Sequence, residues 1–188
     1  MKKILFNRQS ACIQPLRALI EEQKHRTLAM WAVDCALPLL ALFEQKYPAE
    51  KRPRQALEAG EKWMRGEIKM PEAKRAILAA HKAASEVDDL VACAAARAMG
   101  HAAATVHVET HALGLVFYGL TAMVYAADPA DADDVVATAC QGYYDRLSYW
   151  QVHIDQAGQN WAPFLLPDSP NKEKLLRIKN EQKKTSGV

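Results

Sequence analysis

Apolar positions along this chain recur at helical spacing, and proline and glycine fall where helices begin and end. Pro15 opens a first helix over 15–22, and a second runs over 26–46, closed by Pro48. On that second helix Leu28, Trp31, Cys35, Leu39 and Leu42 form one stripe, which Val33, Leu37, Leu40 and Phe43 widen. Such breadth predicts a helix contacted on several sides, with a kink at Pro38. Pro53 opens a third helix over 54–65, ended by Gly66, with Glu58–Lys62 and Glu61–Arg65 as i,i+4 pairs. Pro71 opens a fourth over 71–85. Asp88 or Asp89 caps a fifth, which runs through Gly100 and on to residue 126 as one long, broadly apolar central helix. A sixth covers 131–157, with Val136, Cys140, Tyr143, Leu147, Trp150 and Ile154 in register. Three prolines make 160–170 an irregular strap, and Pro170 opens a last, basic helix over 170–184.

No window shows strand alternation, and the connections are short. The expectation is an all-α, single-domain bundle of six to seven helices spanning 1–188, built around the long central helix. Two apolar stretches, 28–43 and 102–127, bear on a membrane reading. The first is shorter than the about 20 residues of a spanning helix and contains Asp34; the second carries His107, Glu109 and His111. Both read as helices inside a bundle, so no membrane partner is expected. The apolar run at 4–6 is shorter than the roughly 7–15 residues of a secretory signal.

The chain has 188 residues and a formal net charge of +2, which argues against a nucleic-acid partner. Cys12, Cys35, Cys93 and Cys140 are far apart and form no C-x-x-C, so reduced thiols and a cytoplasmic location are expected. No P-loop, dinucleotide fingerprint or nucleophile elbow is present, which points away from an enzyme and from a cofactor. The basic face of Lys172, Lys174, Arg177, Lys179, Lys183 and Lys184 reads as solvated surface. A homo-oligomer is compatible with this composition.

At about 100° per residue, His107, His111, Tyr118 and Tyr125 line one face of the central helix, the single polar row between apolar ones. The row is a candidate pocket wall or hydrogen-bonded edge. His107 and His111 could supply two metal nitrogens, but a zinc site needs a third ligand from another helix: Asp34, His25, His81 or His153. Asp34 itself is the single charge within 28–43. A carboxylate there should be buried against a cation, with Arg54, Arg97, His101 or His107 as partner, because an unpaired buried charge is costly.

Three stretches together resemble a family of small all-helical bacterial proteins, the Imm-5-like immunity proteins. They are residues 25–36, with Trp31 and Asp34; residues 51–58, with Arg54, followed by Trp63 and Gly66-Glu67; and residues 95–108, with His101 and His107. The resemblance covers about 25–125 and leaves the helices over 131–157 and 170–184 unplaced. It implies a non-catalytic protein that binds and neutralises a bacterial toxin. Trp31, Asp34, Arg54, Trp63, His101 and His107 are motif positions to which it assigns no role. Inhibitors of nucleases are often strongly acidic; this near-neutral chain would need a local acidic patch for such a target. The alternatives are a metal-binding protein or enzyme using His107 and His111, and a small-molecule binder with His107, His111, Tyr118 and Tyr125 in its pocket.

Overall fold

The computed structural model describes residues 4–158, 160–170 and 172–185. Among them are eight α-helices: α1 (Gln14–Glu21), α2 (His25–Lys46), α3 (Arg52–Met64), α4 (Met70–Glu86), α5 (Leu90–Thr105), α6 (His111–Ala126), α7 (Ala132–His153) and α8 (Lys172–Thr185). Pro15, Pro53 and Pro71 sit in the first turns of α1, α3 and α4, where the amide that proline lacks would have no helical partner. Asp89 caps α5 by accepting the Ala92 amide at 2.8 Å. Gly66, at φ +74°, ends α3 in a left-handed conformation that side chains other than glycine disfavour.

The expected six to seven helices become eight for one main reason: the long central helix is two helices. The chain turns at residues 106–110, and α6 folds back along α5. In a continuous helix the Thr105 carbonyl would accept the amide four residues on. Instead His25, at the start of α2, sits with Nε2 2.8 Å from that carbonyl, and the β-branched run Thr105-Val106 and Val108 adds little helical preference. His25 also faces Glu109 at 3.6 Å, which fastens the turn to α2.

Alanine-rich α5 lies at the centre, packed by α2, α3, α4 and α6, and is buried along most of its length. Among the described residues α2 is the one helix long and apolar enough to cross a membrane, yet 56% of its apolar window is buried within the bundle. Arg26, itself buried, holds the strap down: its guanidinium donates to Asp168 at 2.7 Å, Asp155 at 3.0 Å and the Leu166 carbonyl at 3.3 Å. The expected basic face of α8 is only partly solvated, since Arg177 reaches Glu21 at the end of α1 and Lys174 reaches the following Glu22. Arg65 turns to Glu67 at 2.5 Å for its close ion pair, in place of the expected Glu61.

Helix α7 meets Trp31 and Asp34 of α2 with Tyr143, Arg146 and Trp150. Trp31 donates its indole N–H to the Tyr143 carbonyl at 3.0 Å and meets the Tyr143 ring edge-on at 6.0 Å. Asp34 accepts from Arg146 and, at 2.6 Å, from the indole of Trp150. The expectation for Asp34 is therefore corrected in partner and in depth. Its cation comes from α7, while Arg54 pairs with Glu44 at 2.6 Å and Arg97 lies over the Tyr118 ring at 5.9 Å. Asp34 keeps 19% of its side chain exposed and Arg146 keeps 46%, so water screens the pair. Asp34→Ala is then expected to cost about 1–2 kcal/mol, set by two charge-assisted hydrogen bonds, short of the about 3–5 kcal/mol of a broken buried pair. Urea midpoints of parent and variant measure it.

Candidate functional site

A groove of about 280 Å³ opens between α3, α4 and the turn that joins α5 to α6. Each wall follows from local sequence. On α4, Met70, Lys74, Ile77 and His81 recur at spacings of four, three and four, which places them on one face. From α3 comes Trp63, buried to 6% exposure, with His107 of the turn stacked on it at 5.6 Å and 29°. Phe164 of the strap packs on the same indole at 5.7 Å, and the Ala162 amide bonds to the Met64 carbonyl at 2.8 Å. His111, the first residue of α6, completes the lining.

Behind the groove, histidines touch one another. His101 Nδ1 lies 3.2 Å from His111 Nδ1, so one ring donates and the other accepts. The His101 ring also meets His81 edge-on at 5.3 Å and stacks on Tyr118 at 5.2 Å. Two glycines make the room. A Cβ on Gly100 would lie 2.6 Å from the His81 ring, and one on Gly114 would lie 2.3 Å from His101 Nδ1.

Burial holds these imidazoles neutral. Desolvation, with the nearby His81, His111 and Arg97 charges adding to it, pushes His101 down to about 3. His81 is lowered by burial and by Arg97, and His111 by burial and His107. The linkage has a definite sign. Below their ordinary value of 6.5 the histidines of the unfolded chain bind protons that these folded ones refuse, so stability is full above that pH and is lost as pH falls. Between about pH 6.5 and 5, stability should drop by up to about 1.4 kcal/mol per pH unit for each neutral-locked ring. Carboxylates depressed by arginine partners, such as Glu44 and Glu50, act at lower pH. Urea midpoints at pH 7 and pH 5 test this, and His101→Phe should flatten the slope.

The sequence-predicted residues separate into three groups. Trp63, His107 and His111 line the groove, and His101 stands directly behind it. Tyr118 and Tyr125 share a helical face with His111, as expected, but line a different, shallow depression beside Arg97 and Ile4. The break between α5 and α6 removes His107 from that face and delivers it through the turn. Trp31 is core, Asp34 edges a second groove of about 290 Å³ beside Cys35 and Arg146, and Arg54 is a surface ion pair. In that second groove burial pushes the Cys35 thiol up, which disfavours its thiolate.

Of the four proposed third ligands, His81 alone joins the cluster. His25 faces Glu109, His153 stacks on Tyr149 at 4.2 Å, and Asp34 is on α7's side. Among the described residues no group of three or more His, Cys, Asp or Glu is arranged to hold a metal ion. The groove lining contains no Ser, Thr, Cys, Asp or Glu, so it offers neither a hydroxyl or thiol nucleophile nor a carboxylate base. What it offers is an apolar floor, imidazole donors and acceptors, and one ammonium. Lys74 and His81 went unremarked as groove residues in the sequence, although their shared face on α4 was readable from spacing.

A family model described as Imm-5 like putative immunity protein matches residues 18–147. The matched stretch extends the resemblance at both ends and takes in most of α7. No curated protein and no solved structure matches the chain.

Proposed function

We infer that this protein, which belongs to the Imm-5-like immunity protein family, neutralises a cognate bacterial toxin by binding it, without chemistry of its own. The observation that carries this reading is convergence. Trp63 of α3 and His107 of the turn after α5 meet at one groove, with His101 of α5 directly behind it, and the lining holds apolar groups, imidazoles and one ammonium. A tryptophan at the base of a concave, largely apolar patch is the usual anchor of a protein interface. A net charge of +2 gives little long-range steering, so affinity would rest on shape and buried contacts. Four unpaired cysteines support a cytoplasmic site of action.

The test is calorimetry of the purified protein with the product of the toxin-like reading frame beside its gene. A 1:1 complex with nanomolar affinity is expected. Trp63→Ala should weaken it by at least about 30-fold, the scale of an interface hot spot. Leu78→Arg, at a position 57% exposed on the groove rim, should weaken it comparably with an unchanged melting temperature. Failure of the parent to form a complex, or an unaltered complex with Leu78→Arg, would overturn the reading.

A further inference from the structure

Every ionisable side chain that lines the groove is basic. Lys74, His81, His107 and His111 surround a floor of Trp63 and Ile77 with Leu78 at the rim, and no carboxylate lines it. Lys74 makes no ion pair among the described residues, and His81 edges the lining with its ring while its Nδ1 is buried against α5. His111 lines the groove and spends Nδ1 on His101. An ammonium and imidazole rings over an apolar floor are the complement of an acid with a hydrocarbon body. We propose that this groove is a carboxylate-binding site, and that the toxin docks by inserting an acidic side chain flanked by an apolar one.

Two quantities narrow the occupant. At about 280 Å³ the groove is near the small end of ligand sites, commonly ~300–1,000 Å³, and suits one or two side chains rather than a large cofactor. Lys74 is the one ammonium of the lining, and burial holds His81 and His111 toward their neutral forms. One ammonium balances a monoanion; a phosphate dianion would leave negative charge uncompensated in a partly desolvated space. The Trp63–His107 stack supplies a flat face for the hydrocarbon.

The inference rests on the groove being the docking surface, but its test needs no toxin. The parent protein is titrated with N-acetyl-phenylalanine and, separately, with its neutral amide, while imidazole and indole NMR signals are followed. The acid should shift His107, His111 and Trp63 signals in a saturable way, with the amide at least about tenfold weaker. Lys74→Gln, at an exposed position, should bring acid and amide within about threefold of each other. Equal binding of acid and amide by the parent would overturn the proposal, as would no shift of these signals at about 20 mM acid. So would a Lys74→Gln protein that keeps the full preference. If Leu78→Arg disrupts the toxin complex while acid and amide bind alike, docking at the groove stands and the carboxylate is rejected.

Discussion

Replacing Trp31 with alanine is expected to lower the unfolding free energy by about 3–5 kcal/mol, the range for deleting a fully buried aromatic side chain. Trp31 has no exposed surface and lies between α2 and α7, where it makes two distinct contacts. One is the edge-on meeting with the Tyr143 ring at 6.0 Å; the other is the 3.0 Å hydrogen bond to the Tyr143 carbonyl. Alanine would lose both and leave a void in the seam between α2 and α7. For a domain whose total stability is of order 5–15 kcal/mol, that is a large fraction. Trp31→Phe, which keeps most of the ring and drops the donor, should cost about 1–2 kcal/mol. Urea unfolding at constant m-value measures both. A Trp31→Ala shift below about 1 kcal/mol would mean that the α2–α7 seam is not a cohesive part of the fold. Because Trp31 is not part of the groove lining, the folded fraction of Trp31→Ala should still bind toxin with parental affinity.

The second large effect is predicted at Gly119, on the face of α6 that meets the same seam. A Cβ there would lie 2.2 Å from the Tyr143 hydroxyl and 2.9 Å from Leu39 Cδ1. Both neighbours are held in place: Tyr143 is 4% exposed and braced by Trp31, and Leu39 is fully buried. Overpacking of this kind costs about 1–3 kcal/mol, against which alanine regains up to about 1 kcal/mol of helix preference. Gly119→Ala should therefore be destabilised by about 1–2 kcal/mol net.

The same hydroxyl makes the prediction separable. Tyr143 Oη is buried with no hydrogen-bond partner, and burial drives the phenol's ionisation far above its ordinary range. Tyr143→Phe removes an unsatisfied polar atom and should stabilise by about 1 kcal/mol. In Gly119→Ala/Tyr143→Phe the closest clash is gone, so the double variant should be more stable than additivity predicts. A double-mutant cycle of urea midpoints reads this coupling directly. A zero coupling energy would show that the strain falls on Leu39 instead.

Much of the fold was legible because it depends on short-range chemistry. Pro15, Pro53 and Pro71 mark helix starts through a missing amide, Gly66 marks an end through its φ, and Asp89 caps through a side chain three residues from its target. The wide apolar stripe of α2 foretold a helix enclosed on several sides, since burial follows composition. His111, Tyr118 and Tyr125 do share a face, because seven-residue spacing returns nearly to the same direction on any helix. The family-like positions were also readable in sequence.

Other features were decided by partners far along the chain. The sequence over 90–126 has helical preference nearly throughout, yet the Thr105 carbonyl goes to His25, 80 residues away, and the helix breaks there. That break turns a supposed one-face row into a groove, because it carries His107 onto Trp63 and leaves Tyr118 and Tyr125 in another depression. Asp34 was recognisable as a carboxylate in need of a cation, but which cation answers was settled by the docking of α7, which brings Arg146 across 112 residues. Periodicity, caps and composition act over one or two helical turns, so the sequence by itself determined which segments are helical and which faces must be buried. The pairing of those faces is a competition among many nearly equal apolar surfaces. The tertiary structure resolved that competition, and with it which histidines meet, which cation reaches Asp34 and where the groove opens.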